Sequence, residues 1–335
     1  MKPSYSIILP VRNGGEYLKE CINSILTQSY SDFDLLVLDN NSSDGTSSWI
    51  DSLGDNRIKI FPSGKDLSIE ENWNRIITVP KNEYITLIGH DDMLHPDYLQ
   101  TMDNLIRQHP RASLYQTHFN YIDSSGKIVK QSQPMAEVQY VHEFLDCQMN
   151  QTLDSTGTGY MMHSSDYDAL GGISPAFPKL IFADYELWVK LISKSYKATS
   201  EKVCFSYRLH ESVSRLTNGE DYQQAFGRYM LFLNSIKDNN TEINTAIQQS
   251  GKKMILYFCE SLSHRLLKTP VSLRQTSVGS FIDKCREYAR LLIPGKPFHP
   301  LSKPGILAAK LLDNKPGLAL FSLYKKITGG NKSVA

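Results

Sequence analysis

Apolar and polar positions follow two rhythms over the first ninety residues. Tyr5 to Leu9 is a largely apolar run closed by Pro10, as expected of a buried strand. After Gly14-Gly15, Leu18, Cys21, Ile22, Ile25 and Leu26 return at helical spacing. Phe33 to Leu38 reads as a second strand. Ser43-Asp44 reads as a helix N-cap, ahead of an apolar face of Trp49, Ile50 and Leu53. Arg57 to Phe61 predicts a third strand, Leu67 to Val79 a helix, and Glu83 to Ile88 a fourth strand. Strands alternating with helices at this spacing imply βαβ units and a parallel sheet.

The rhythm loosens after Pro96. Leu99, Met102, Leu105 and Ile106 form a helix face, and Ser113 to Tyr121 predicts a strand. Asp123-Ser124-Ser125-Gly126 predicts a hairpin turn before Lys127 to Lys130. Tyr140 to Met149 and Asp184 to Ser193 read as helices. From about Tyr222 the pattern is mostly helical, over Tyr222 to Ser235, Thr241 to Leu267 and Val278 to Leu292. Four prolines between Pro294 and Pro304 mark a loop before a short amphipathic end. The expected division is residues 1–220 as an α/β domain and 221–335 as a mostly helical, basic region.

Composition narrows the class. Of 335 residues, 41% are hydrophobic and 21% charged, which suits a packed core. The formal net charge of +1 hides an asymmetry. From Lys252 onward there are fifteen basic and four acidic residues, a net +11, so the remainder carries −10. A basic tail on an acidic body suits an anionic surface as partner, and nothing points to nucleic acid. The five cysteines are widely spaced with no C-x-x-C, so a reduced compartment is expected and a zinc site has no support. The apolar run at Ile7 is too short for a signal segment, and no stretch approaches the roughly 20 residues that span a bilayer. A cytoplasmic protein, peripheral on the inner face of the membrane, is the resulting expectation.

Three polar segments follow apolar strands, where open α/β sheets bind ligands. The first is Pro10-Val11-Arg12-Asn13. The second runs from Asp39 through Asn40-Asn41-Ser42-Ser43-Asp44-Gly45 to Thr46, and its first carboxylate suits a pyrimidine N3–H or a ribose hydroxyl. A plain turn with a helix cap is the alternative for that segment. The third is Gly89-His90-Asp91-Asp92. Adjacent acids after a strand suit solvent, or a Mg²⁺ or Mn²⁺ shared with diphosphate oxygens.

Taken together, these segments resemble glycosyltransferase family 2, an inverting family with the GT-A fold. The resemblance runs from about Tyr5 to Ser214. Asp39 to Thr46 resembles D-D-G-S-x-D-G-T, with Asn40 in place of its second Asp. Asn72-Trp73-Asn74-Arg75 is similar to the helix before the metal strand. Asn82 to Leu99 is similar to the D-x-D region, with Gly89 where its first acid stands. Phe182-Ala183-Asp184-Tyr185-Glu186-Leu187-Trp188 resembles E-D-x-[DE]-L-W, with Ala183 for Glu. Tyr207 to Ser214 resembles Y-R-x-H-x-x-S-x-S.

The resemblance implies an α/β, Rossmann-like, mostly parallel sheet flanked by helices, followed by a helical C-terminal extension. It implies Asp184 as the base, an N-cap being its structural alternative. Asp91 and His210 become metal ligands. Pro10, Val11, Arg12, Asn13, Asp39, Asn74, His90, Asp92 and Arg208 become donor contacts, with Arg208 neutralising the diphosphate. The implied cofactor is Mn²⁺ or Mg²⁺. The implied partners are a nucleotide-sugar, most simply a UDP-sugar, and a glycan or lipid-linked saccharide acceptor in bacterial surface polysaccharide synthesis. Gly89 and Ala183 leave a second class open, a non-catalytic nucleotide-sugar-binding or scaffold module. A nucleotidyltransferase would want a basic Gly-rich loop after the first strand, and Pro10 to Gly15 is a poor one.

Overall fold

The computed structural model describes residues 3–209, 219–269 and 274–319. Two units divide the chain: Met1–Phe144 with Thr152–Ser212, and Leu145–Gln151 with Val213–Ala335.

The first unit is a mixed sheet with helices. Its strands are β1 (Tyr5–Val11), β2 (Phe33–Asp39), β3 (Ile58–Ile60), β4 (Tyr84–Leu87), β5 (Met93–Leu94), β6 (Leu114–Ile122), β7 (Ile128–Gln131), β8 (Val138–Gln139), β9 (Tyr160–His163) and β10 (Lys197–Arg208). The order is β3-β2-β1-β4-β9-β6-β10-β5, with β7 beside β6 and β8 beside β10. β1, β2, β3 and β4 pair in parallel, which the apolar runs predict. β9 enters antiparallel between β4 and β6, and β10 then pairs parallel to β6. The second half therefore turns a parallel start into a mixed sheet.

Burial explains the run-type strands. All seven residues of β1 are buried, since neighbours cover it along both edges and the core packs on its faces. Each such Ile or Leu contributes roughly 1.5–3 kcal/mol of transfer energy. Helix α1 (Gly15–Leu26) turns Leu18, Cys21, Ile22 and Ile25 inward. α2 (Thr46–Ser52) is capped by Gly45, at φ 88°, and not by Ser43 or Asp44 as expected. Asp44 instead accepts from the Thr46 and Gly15 amides. The helix expected over Leu67 to Val79 is shorter. α3 (Ile69–Asn74), with a Ser68–Glu71 capping box, passes into a 3₁₀ turn over Arg75–Thr78. α4 (Tyr98–Gln108), α5 (Val141–Asn150), α6 (Ser164–Ala169) and α7 (Ala183–Ile192) follow.

The second unit is helical: α8 (Gly219–Ile236), α9 (Thr241–Lys268), α10 (Val278–Leu292) and α11 (Pro304–Leu312). Asn240 caps α9 through the Glu242 and Ile243 amides, and Ser277 caps α10 through the Ser280 amide. Among the described residues, no helix is long and apolar enough to cross a membrane.

Candidate active site

Register places the polar segments on one edge. Val11 at the end of β1 pairs with Asp39 at the end of β2, and Ile8 pairs with Leu87 of β4. β6 and β10 run in the same sense, so Arg208 ends at that edge too. β9 runs the other way and begins there, since the Gly159 amide donates to Leu87 O at 2.9 Å. The carboxyl ends of β1, β2, β4 and β10 and the loop before β9 therefore surround one region.

Asp39 is 4% exposed. Its carboxylate accepts from Ser42 Oγ at 2.5 Å and Ser47 Oγ at 2.8 Å. Ser42 Oγ also accepts from the Asn13 amide (2.9 Å), and Asn13 Oδ1 accepts from the Ser43 amide (2.8 Å). The Pro10–Asn13 and Asp39–Thr46 loops are thus latched. Arg12 pairs with exposed Asp66 at 2.6 Å, and Asn41 donates to the same carboxylate at 2.8 Å. Those two contacts hold Asp66 below the usual carboxylate range, Asn41 first. Arg75 braces the floor, donating to Asp39 O, Asn72 Oδ1 and Phe61 O. Asn74 lies half-buried where α3 meets its 3₁₀ turn.

The Gly89–Asp92 turn is built from inside. An ideal Cβ on Gly89 would lie 2.6 Å from Asp91 Oδ1 and 3.0 Å from Asp92 Oδ2. The two carboxylates fill the space that a side chain would take. Asp92 is 2% exposed, and both its oxygens are engaged: Thr158 Oγ1 donates to one at 2.7 Å and the Arg208 amide to the other at 3.0 Å. Burial, then repulsion from Asp91, pushes this carboxyl well above its ordinary range. Cys21 Sγ lies under the turn, 3.5 Å from Gly89 O. Burial and then Asp92 and Asp91 drive its thiol upward, so it stays neutral. Asp91 and His90 are partly exposed.

Arg208 is buried, and its guanidinium is committed. Nε donates to Asp91 O at 2.8 Å, Nη1 to Asp123 O and Ser124 O at 3.2 Å, and Nη2 to Glu20 Oε2 at 2.5 Å. Its Cζ stands 4.4 Å from the Tyr17 ring centre. The geometry is that of a brace under the acidic turn.

Asp184 is the second residue of α7. The N-cap is Phe182 at φ 63°, and no side chain caps that helix. Asp184 sits in a recess, partly open to solvent yet closely surrounded. Burial pushes its carboxyl up to about 6, against the pull of the Tyr185 and Asp184 amides. The side chain stands over Gly157, where an added Cβ would lie 3.7 Å from Oδ2. Trp188 on the same helix donates to Thr156 O at 3.1 Å and stacks on Tyr160 at 4.3 Å. Thr156 Oγ1 donates to Thr158 O at 2.7 Å, joining this loop to the residue that holds Asp92.

The structure thus brings together the latched Arg12–Asn13–Asp39 loops, the Asp91–Asp92–Arg208 turn and the Asp184 recess. His210 lies outside the described residues. Among those described, no group of three or more His, Cys, Asp or Glu gathers as a metal shell. Sequence reading gave no role to the supports Ser42, Ser47, Arg75, Glu20 and Thr158. Ser42 and Arg75 lie within the motifs already named and Thr158 is flanked by glycines ahead of a strand, whereas Ser47 and Glu20 carry no local signal.

Comparison with known proteins agrees with this architecture. Residues 6–171 match the family model of glycosyl transferase family 2. Glycosyltransferase GlyG of Streptococcus pneumoniae is 27% identical over 128 residues, which are 38% of this chain and 42% of GlyG. An uncharacterised glycosyltransferase of Rickettsia typhi is 23% identical over 86% of this chain and 96% of its own length. Among solved structures, Staphylococcus aureus TarS 1-349 in complex with UDP-GlcNAc superposes with a TM-score of 0.66 at 14% identity, covering 96% of this chain and 92% of that one. Mannosyltransferase PcManGT from Pyrobaculum calidifontis, in complex with GDP-Man and Mn²⁺, superposes with a TM-score of 0.50 at 14% identity, covering 94% and 89%. The architecture is the GT-A fold of nucleotide-sugar enzymes. Residues 6–171 belong to glycosyl transferase family 2, and the chain is a glycosyltransferase.

Proposed function

We propose that this glycosyltransferase moves a sugar, with inversion, from a nucleotide-sugar to a hydroxyl of a glycan or lipid-linked acceptor. The observation that carries the reading is Asp184, recessed over Gly157 with a carboxyl raised to about 6. A base near that value is ionised at neutral pH and strong enough to take an alcohol proton as the bond forms. The acceptor oxygen attacks the sugar C1 while its proton passes to Asp184. The electron pair of the C1–O bond leaves with the nucleoside diphosphate.

The donor region is the latched pair of loops. Asp39 is directed by Ser42 and Ser47, and Arg12, Asn13 and Asn74 line the approach in front of buried Pro10 and Val11, with His90 and Asp92 in the acidic turn. UDP-GlcNAc in TarS and GDP-Man in PcManGT support a nucleotide-sugar, and a UDP-sugar is the simplest assignment.

The acidic turn fits a divalent cation. Its missing first side chain is replaced by Asp91 Oδ1, turned back over Gly89, and one or two carboxylates with diphosphate oxygens suffice for Mg²⁺ or Mn²⁺. Asp91 would hold it, with His210 completing the shell. The ion would neutralise charge on the leaving diphosphate. Asp92, turned inward to Thr158 and Arg208, serves as support for Asp91. Arg208 fixes the turn from beneath in place of a diphosphate contact.

The remaining elements of the reading are residues 1–220 as the catalytic domain, a cytoplasmic site at the inner membrane face, and a role in bacterial surface polysaccharide synthesis. The test is titration with a panel of UDP-, GDP- and dTDP-sugars, with and without Mn²⁺, followed by donor turnover. One nucleotide class should bind, and Asp184→Asn should retain that binding while losing transfer. A chain that binds none of the panel overturns the reading.

A further inference from the structure

The second unit carries a groove with its own chemistry, far in sequence from the catalytic motifs. It is a cavity of about 430 Å³ at the end of α10 and the Pro294–Phe298 turn, lined by Arg286, Arg290, Lys296, Ile293 and Phe298 among others. No acidic residue lines it. Arg286 is matched by Asp283 one turn back, whereas among the described residues Lys296 donates only to a neutral carbonyl, that of Gln248. Gly295, at φ 80°, makes the tight turn that carries Lys296 back beside the helix.

A helix C-terminus ordinarily repels anions, because its last carbonyls are unpaired. Here they are not. Lys237 Nζ donates to Leu291 O at 2.6 Å, Gln248 Nε2 to Leu292 O at 2.8 Å, and the Ile293 amide to Ala289 O at 2.9 Å. The partial negative charge is thereby reduced, and Lys237 adds a cation behind it. What remains is a concave site with cationic heads along its wall and an apolar floor of buried Ile293 beside half-buried Phe298.

We propose that this groove binds a phosphate group carried on an apolar chain, the guanidinium of Arg290 and the ammonium of Lys296 gripping the phosphate and Ile293 and Phe298 the first carbons. Neither half of the lining explains the other. An inorganic anion would leave the apolar floor wet, and an apolar ligand would leave the cations unmatched. The inference does not depend on the proposed transfer reaction, and its test reads binding alone.

The full-length chain is titrated calorimetrically with hexyl phosphate, inorganic phosphate and hexanol. Hexyl phosphate should bind at least about tenfold more tightly than either of the others. A double Arg290→Ala, Lys296→Ala variant should weaken hexyl phosphate by at least about tenfold, and Phe298→Ala should bring its affinity down towards that of phosphate. Arg290 and Lys296 are exposed and Phe298 is half-buried, and unchanged melting temperature with unchanged nucleotide-sugar binding shows the fold of each variant intact. Equal affinity for phosphate and hexyl phosphate overturns the proposal, as does binding of hexyl phosphate that survives the double substitution. A further arm with sonicated vesicles of phosphatidylcholine and phosphatidylglycerol tells a glycerophospholipid headgroup from a free phosphorylated chain.

Discussion

At the scale of single residues, Asp184 combines a useful chemistry with a stability cost. Its folded carboxyl titrates at about 6, above the ~3.9 of an unfolded aspartate. The folded chain therefore holds more protons between those values, and stability falls as pH rises from about 4 to about 6. Above that window the buried charge costs roughly 2 kcal/mol after allowance for its partial exposure. Asp184→Asn should accordingly melt higher than the parent at pH 7 and equally at pH 4, while transfer is abolished. Transfer by the parent should rise with pH through about 6. A variant that melts lower at pH 7 would mean that the carboxylate is a structural anchor. Asp91 makes the contrasting case. Asp91→Asn should reduce turnover at least about 100-fold, by analogy with the loss of an electrostatic stabiliser. The parent should lose activity in EDTA and regain it with Mn²⁺. Full activity in EDTA would remove the metal assignment.

At the scale of elements, legibility followed the burial pattern. β1, β2 and β4 could be read because strands covered on both faces leave continuous apolar runs. β10 left none. Its Glu201-Lys202 pair lies at exposed register shifts between Ser200 and Val203, so Lys197–Arg208 alternates with no clear period. The helix α7 was read to within one residue of its start, but the segment leading into it was not. Lys179, Leu180 and Phe182 all have positive φ, which local preference argues against and which tertiary packing must enforce. Asp39, Asp91 and Asp92 were visible because they follow apolar strands, and Asp184 because it opens a helical pattern. Their supports were not, because Glu20 and Thr158 meet Arg208 and Asp92 from distant parts of the chain. β10 supplies the prediction at this scale. Its last residue braces the acidic turn with a fully buried guanidinium. Arg208→Ala takes the donor from the carbonyls of Asp91, Asp123 and Ser124 and empties a buried space, while exposed Glu20 returns to water, and it should cost about 3 kcal/mol, read as a lower urea midpoint. A diphosphate contact alone would leave that midpoint unchanged and weaken only donor binding.

At the scale of the whole molecule, the acids of the candidate site and the basic tail are segregated along the chain, and α11 gives the tail a shape. Ile306 and Ala309 are buried, while Leu307 and Leu311 are exposed, at 41% and 66%. Lys303, Lys310 and Lys315 are exposed on and around the same helix. Leu312 and Leu318 are half-buried, and Leu320 and Phe321 of the expected amphipathic run lie outside the described residues. Among the described residues, the outward pair of leucines beside the lysines is left exposed. Basic residues near an anionic bilayer contribute roughly 1 kcal/mol each, and two half-inserted leucines add to that. The enzyme should therefore co-sediment with vesicles containing phosphatidylglycerol and not with phosphatidylcholine alone. Binding should weaken as salt is raised, because the Debye length shortens from about 10 Å at 0.1 M. A Leu307→Ser, Leu311→Ser double variant, altered only where the side chains face solvent, should lose most of this binding with its fold and hexyl phosphate affinity intact. Equal binding to neutral and anionic vesicles, or none to either, would leave the tail's charge as a counterweight to the acidic remainder of the chain.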